Sequence, residues 1–220
     1  MSDKPTFQAI IFDMDGLLVD SEIVWHKAEK ELIESRGRDY TEDVRENIIG
    51  KRLDEFMTYL HDYYQFSETL AELTEELVQR MLTLIPQEVE TRPGAQAMVD
   101  YVVKNNIPHA IASSSAMRII DATVQAHGWE DVFTIRCSAD DDERGKPAPD
   151  VYLRAARRVG VDPSQCLALE DSPNGARAAV AAGMTCYAVP DPSHSTPAAF
   201  ADITPYVFAS LNDILDQLNE

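Results

Sequence analysis

The stretch Phe7-Gln8-Ala9-Ile10-Ile11-Phe12-Asp13-Met14-Asp15-Gly16 decides how the rest of the chain is read. Its first half is short, apolar and β-rich, and nearly continuous rather than alternating, the pattern of a strand buried on both faces. It runs directly into Asp13. Asp15 follows two residues on, so near a strand end the two carboxylates can share a side, and Gly16 lets the chain turn sharply. Two carboxylates held together repel unless a cation intervenes or one is protonated. That gives identical groups different tasks: one stays ionised and attacks, the other holds a proton and donates it. A D-x-D alone reads more readily as a solvated loop; the apolar strand leading into it argues otherwise.

Outward from this point, the segments Pro108–Ser113, Val132–Cys137, Cys166–Leu169, Met184–Val189 and Pro205–Phe208 read as further strands. Between them lie helical patterns. In Pro149–Gly160, the residues Val151, Tyr152, Ala155, Ala156 and Val159 fall on one face, with Pro149 in the first turn and Gly160 as terminator. Ser172–Gly183 repeats the design, with Ser172 as N-cap and Pro173 as the first helical residue. Strands alternating with helices predict an α/β fold, a parallel sheet covered on both faces with ligands outside the carboxyl ends of its strands. Asp13, Ser113 and the Glu170-Asp171 pair all fall at such ends. Residues 20–90 differ: they are rich in Glu, Leu, Tyr and Met, show amphipathic helical spacing over Glu22–Arg36 and Glu68–Ile85, and contain no convincing strand. They are expected to form a helical insert between core segments 1–19 and 91–220, with Arg92-Pro93-Gly94 marking the return.

Composition bounds the partners. With 45% apolar and 26% charged residues the chain is an ordinary globular one. Its 38 acidic against 19 basic residues give a net charge of −19, a surface that repels nucleic acid and anionic lipid, so neither is an expected partner. A phosphate site in such a protein must build its own positive potential from a cation, a lysine or backbone N–H groups. Cys137, Cys166 and Cys186 are dispersed in or beside apolar runs and read as buried free thiols of a reducing compartment. No leader pattern or spanning apolar stretch is visible, and a cytoplasmic protein is expected, a monomer or weak homo-oligomer.

Three further pieces complete the site. In Ile111-Ala112-Ser113-Ser114-Ser115, a hydroxyl and the N–H groups after it at a strand-to-helix junction can grip phosphate oxygens. In Gly145-Lys146-Pro147, a lysine on constrained backbone offers a point charge suited to phosphate. In Leu169-Glu170-Asp171-Ser172, adjacent acids after an apolar strand suit a hard cation such as magnesium. Each alone also reads blandly, as a helix cap, a surface lysine and an acidic turn.

Taken in order, Asp13-x-Asp15-Gly16, Ser113, Lys146 and Glu170-Asp171 resemble the motifs of the haloacid dehalogenase superfamily, in its phosphatase branch with a helical cap. The resemblance runs essentially end to end. It implies a Rossmann-like core and a phosphoric monoester hydrolase acting on a small phosphorylated metabolite. It also implies roles. Asp13 would be the nucleophile and form an aspartyl-phosphate; Asp15 would be the general acid and base. Ser113, the Ser114 backbone and Lys146 would hold the phosphoryl group. Mg2+ would sit on Asp13, the Asp15 carbonyl oxygen and Asp171, supported by Glu170. The dehalogenases of the superfamily lack an acid at the position of Asp15, so that reaction is not expected. The segment Asp20–Trp25 resembles sugar-phosphate phosphatases of the branch, while the related β-phosphoglucomutases carry a histidine where Trp25 stands, with His26 adjacent. Ile49-Gly50-Lys51-Arg52 resembles the cap's specificity loop, making Gly50, Lys51, Arg52 and Trp25 candidate substrate contacts. A phosphomutase, and a non-catalytic phosphometabolite-binding regulator, are the competing readings.

Overall fold

The computed structural model describes residues 7–49, 51–193 and 195–219. Strand β1 (Ala9–Phe12) leads through a turn at Gly16, where φ is 81°, into the short strand β2 (Val19–Asp20). Four helices follow, α1 (Glu22–Glu34), α2 (Glu42–Glu46), α3 (Leu53–Tyr64) and α4 (Leu70–Glu88), before β3 (Glu90–Thr91). Helices and strands then alternate: α5 (Ala95–Lys104), β4 (His109–Ser113), α6 (Met117–Ala126) and β5 (Arg136–Ser138). The pattern continues with α7 (Asp150–Val159), β6 (Cys166–Glu170), α8 (Pro173–Ala181), β7 (Thr185–Ala188) and a final helix, α9 (Leu211–Asn219).

The main sheet is parallel throughout, in the order β5-β4-β1-β6-β7. Strand β1 is central, with the strands that follow it first laid on one side and then on the other. That reversal opens a crevice at the carboxyl ends of β1 and its neighbours, where ligands of such folds sit. Register aligns the ends: Phe12 lies opposite Ile111 of β4 and Leu169 of β6. Asp13 therefore leaves the sheet level with Glu170, and its N–H donates to the Leu169 carbonyl at 2.9 Å.

Residues of β1 alternate between two cores, although the strand itself is uniformly apolar. Ala9 and Ile11 pack among small residues, Ala110, Ala112, Ala155, Ala156 and Ala168, which let helix α7 lie close to the sheet. Ile10 and Phe12 face the larger core, where Phe12 meets Phe133 edge to face at 5.5 Å between ring centres. Helix α7 ends as its sequence predicts, with Gly160 in the left-handed region at φ 81°. The three cysteines are buried and free.

Strands β2 and β3 pair antiparallel, Val19 opposite Thr91 and Asp20 opposite Glu90, so the chain leaves and re-enters the sheet region through a two-stranded ribbon. Everything regular between them among the described residues is helical. Val24, Ala28 and Leu32 of α1 and Leu73, Leu77 and Met81 of α4 are all buried. Both sets have the four-residue spacing of one helical face. Helix α4 starts at a capping box in which Thr69 Oγ1 accepts from Glu72 N–H at 3.3 Å and the Glu72 carboxylate accepts from Thr69 N–H at 2.9 Å.

Two expected strands are not formed as drawn. Within Val132–Cys137 the ladder begins only at Arg136, opposite Ile111. Val132 and Phe133 donate back to the Trp129 carbonyl and are held in a turn. Pro205–Phe208 contributes a single bridge, Ala188 with Val207, flanked by bonds to Tyr206 and Phe208.

Because Phe12 fills the centre of the larger core, Phe12→Ala should lower unfolding free energy in urea by about 3–5 kcal/mol. A loss below about 1 kcal/mol would show that this side chain does not anchor the sheet.

Candidate active site

A buried ammonium sits at the centre of the site. Lys146 Nζ donates to Asp13 Oδ1 at 2.5 Å and to Glu170 Oε1 at 2.6 Å. Glu170 is fully buried and saturated: the Tyr152 hydroxyl also donates to Oε1 at 2.8 Å, while Oε2 accepts from Asp171 N–H, Ser172 N–H and the Ser172 hydroxyl at 3.0–3.1 Å. Tyr152 presents its ring to the same ammonium at 5.0 Å. Close packing enforces the arrangement. A Cβ placed on Gly175, in the first turn of α8, would come 1.7 Å from Glu170 Oε1, so only glycine fits beneath that carboxylate.

Burial pulls the Lys146 ammonium down, but the Asp13 and Glu170 carboxylates outweigh it and keep the proton on lysine. Glu170 feels the same burial, yet Lys146, Tyr152 and Ser172 N–H hold it below the usual range. Asp13 and Asp171 are pushed well above it, by burial first. Lys146 lowers both, and the neighbouring acids raise them further. One ammonium cannot neutralise this set. Asp13, Glu170 and Asp171 each offer a carboxylate oxygen, all within 4.8 Å of one another. Asp171 Oδ2 and Asp191 Oδ2 both face Gly16, at 2.2 Å and 3.0 Å from where a Cβ would stand, and among the described residues the buried Asp191 Oδ2 has no hydrogen-bond partner. Hard oxygen donors with excess negative charge fit a divalent cation.

Asp15 is held differently. Its Oδ1 accepts from the Ser21 hydroxyl at 2.6 Å, and its Oδ2 accepts from the hydroxyls of Ser113 at 3.1 Å and Ser115 at 2.8 Å. Ser113 is fully buried and also accepts from Ser115 N–H at 2.9 Å, so its side chain fixes Asp15 and the turn after β4. Ser114, by contrast, lines the cavity above Asp13.

That cavity lies between the sheet's carboxyl edge and the helices of 20–90. The sheet side supplies Asp13, Asp15, Ser114, Ser115, Lys146 and Asp171; the helical side supplies Glu22, Trp25, Glu29, Arg45, Lys51 and Phe56. Trp25, half-buried, meets Phe56 edge to face at 6.0 Å. His26, the next residue, is not part of the lining and packs on Tyr40 at 5.2 Å. Of the loop residues singled out from sequence, Lys51 lines the cavity, with its ammonium 5.7 Å above the Tyr59 ring. Gly50 lies outside the described residues. Arg52 departs from expectation: it is not in the lining, and its guanidinium grips the Asp54 carboxylate at 2.7 Å and 2.5 Å and donates to the Asp142 carbonyl at 3.3 Å. A carboxylate two residues on, in the first turn of α3, outcompetes the cavity for this fork-shaped donor. The acidic run ahead of Lys146 is also partnered, with Asp141 and Asp142 both on Arg154.

Several contributors were not identified from sequence: Ser115, Tyr152 and Gly175 on the sheet side, and Ser21, Glu22, Glu29 and Arg45 on the helical side. A glycine three residues into the Ser172-capped helix was a readable signal; the others are ordinary residues of amphipathic helices and turns.

Comparison with known proteins agrees with this geometry. A family model described as haloacid dehalogenase-like hydrolase matches residues 10–189. A probable pseudouridine-5'-phosphatase of Drosophila melanogaster is 33% identical over 216 residues, covering 90% of this chain and 92% of that one. Hexitol phosphatase B of Escherichia coli K12 is 32% identical over 194 residues, 87% of each. The crystal structure of CbbY from Rhodobacter sphaeroides in complex with phosphate matches with a TM-score of 0.85 at 24% identity, covering 98% of this chain and 100% of the other, a likeness of fold. The chain belongs to the haloacid dehalogenase-like hydrolase family, in its phosphatase branch.

Proposed function

We propose that this enzyme, a phosphoric monoester hydrolase, removes phosphate from a small sugar or polyol monophosphate with magnesium bound, through an aspartyl-phosphate on Asp13. The observation that carries the proposal is the buried contact of Lys146 with Asp13 on the floor of a cavity also lined by Asp15 and Asp171. The two relatives are named for a pseudouridine phosphate and for hexitol phosphates, both monophosphates of hydroxyl-rich molecules, which supports a similar substrate here.

In this reading Asp13 attacks phosphorus through a carboxylate oxygen while the bond to the leaving oxygen breaks. Asp15, steadied by Ser21, Ser113 and Ser115, gives its proton to that oxygen, then takes one from the water that attacks phosphorus and frees Asp13. Lys146 and the Ser114 N–H hold the phosphoryl oxygens; Ser113 acts by fixing the turn that presents Ser114, and reaches the phosphoryl group only if Asp15 releases its hydroxyl. Asp13, the Asp15 carbonyl oxygen and Asp171 would hold Mg2+, with Glu170 supporting them while it anchors Lys146. A bound cation keeps Asp13 ionised and neutralises the incoming phosphoryl charge. Residues 20–90 act as the cap that closes over the leaving group, with Trp25 and Lys51 facing it. A phosphomutase must hold a sugar hydroxyl against phosphorus and exclude water. In the position the mutases give to histidine the cavity has Trp25, and His26 packs on Tyr40, which favours hydrolysis. All core catalytic side chains are present, which argues against a purely regulatory descendant.

Two outcomes test the proposal. Phosphate release from a panel of sugar and polyol monophosphates should vanish in EDTA and return with Mg2+, while Ca2+ restores it poorly because its looser coordination misplaces the phosphoryl group. Full turnover in metal-free buffer would contradict the site. Separately, Asp15→Asn should slow the first phosphoryl transfer from an alkyl sugar phosphate by about 10²–10⁴-fold. It should slow a nitrophenyl ester, whose leaving group needs little protonation, much less. Equal slowing of both in single-turnover measurements would remove Asp15 from the role of general acid.

A further inference from the structure

The helical side of the cavity carries a carboxyl group that the chemistry above does not use. Glu29 lines the cavity yet is only 7% exposed, in the middle of α1. Burying an acid is costly unless its oxygens are satisfied, and among the described residues no basic side chain bonds to this one. Arg45, whose charge acts on Glu29, turns to Glu22 at 3.4 Å and Glu42 at 3.3 Å. The Tyr40 hydroxyl instead donates to Glu29 Oε2 at 2.6 Å. Among the described residues no hydrogen bond occupies Oε1. Burial, and then the Glu22 charge, push the carboxyl up to about 8, while Tyr40 and Arg45 hold it down. Trp25, Ile48 and Phe56 frame the same space, an apolar wall with few polar groups set in it: Glu22 and Arg45 pair with each other, Lys51 lies over the Tyr59 ring, and Glu29 is fixed by Tyr40, the usual build of a ligand subsite.

We infer that Glu29, braced by Tyr40, reads the hydroxyl groups of the leaving molecule and so selects polyhydroxylated monophosphates over esters without hydroxyls. The inference rests on the phosphatase reading of the cavity and adds to it a residue and a substrate chemistry. Oε1 is not one of the buried unpaired atoms, so it is open to the cavity's solvent, and a substrate hydroxyl can take the place of water there. An ester lacking that hydroxyl displaces the water without replacing its bond, and sites built in this way discriminate strongly against such analogues.

The test compares kcat/KM for a hexitol monophosphate and for p-nitrophenyl phosphate, with magnesium, in the wild type, Glu29→Ala and Glu29→Gln. Circular dichroism melts confirm that each variant is folded. The selectivity ratio should fall by about 10–100-fold in Glu29→Ala, the range for losing a hydrogen bond to a buried polar group. It should be partly restored in Glu29→Gln, which keeps the shape and an acceptor. The loss should fall mainly on KM of the hexitol ester. If both esters slow equally in a folded Glu29→Ala, or if the wild type shows no preference for the hexitol ester, the proposal is overturned while the phosphatase reading stands. If the wild type releases phosphate from neither, both fall.

Discussion

The contact of Lys146 with Asp13 and Glu170 is the constraint on which the rest of the site depends. It joins the loop before α7 to the ends of two adjacent strands, β1 and β6, and it does so out of water. A buried ion pair earns little stability for its own sake. This one persists because every remaining valence of Glu170 is met, by Tyr152 of α7 and by the first N–H groups after β6. Glycine at 175 removes the atom that would push that carboxylate aside. The consequence is electrostatic. Glu170 consumes part of the lysine's charge, and Asp13 and Asp171 are both left incompletely compensated. Within a chain of net charge −19, the site answers with a local arrangement that calls for a cation.

Labour is divided across the cavity. The sheet edge presents reactive groups held by short hydrogen bonds and close packing. The helical segment presents an aromatic and aliphatic wall with Glu22, Glu29, Arg45 and Lys51 set in it. Because the two sides come from separate stretches of chain joined by the β2–β3 ribbon, the helical wall can vary while the acids and lysine stay in place.

How much of this was legible in the sequence follows from the range of each interaction. Strand β1 and its terminal Asp13 could be read because an uninterrupted apolar run ending in an acid is local. Helices α7 and α8 could be read from their Pro, Ser and Gly punctuation. The parallel α/β fold followed from the alternation of elements, and the convergence of Asp13, Lys146, Glu170 and Asp171 from fold logic and the resemblance. What escaped was set by tertiary contact. Val132 and Phe133 look like strand, but bond back to Trp129. Arg52 looked free for substrate until α3 placed Asp54 beside it. Ser113 and Ser115 spend their hydroxyls on Asp15, about 100 residues earlier in the chain. Glu29 reads as one more acid on an amphipathic helix; only the arrival of Tyr40 and the closing of the cavity over it give it a distinct environment.

The most direct test of the account is to identify the atom that takes the phosphoryl group. Enzyme mixed with Mg2+ and a sugar monophosphate, quenched in acid within one turnover and digested, should show a phosphoryl adduct by mass spectrometry on the peptide holding Asp13. With p-nitrophenyl phosphate, whose leaving group needs little protonation, the adduct should accumulate in Asp15→Asn, where water attack is slowed, and with either substrate it should be absent from Asp13→Asn. An adduct on Ser113 or Ser114, or turnover by a folded Asp13→Asn variant, would contradict it.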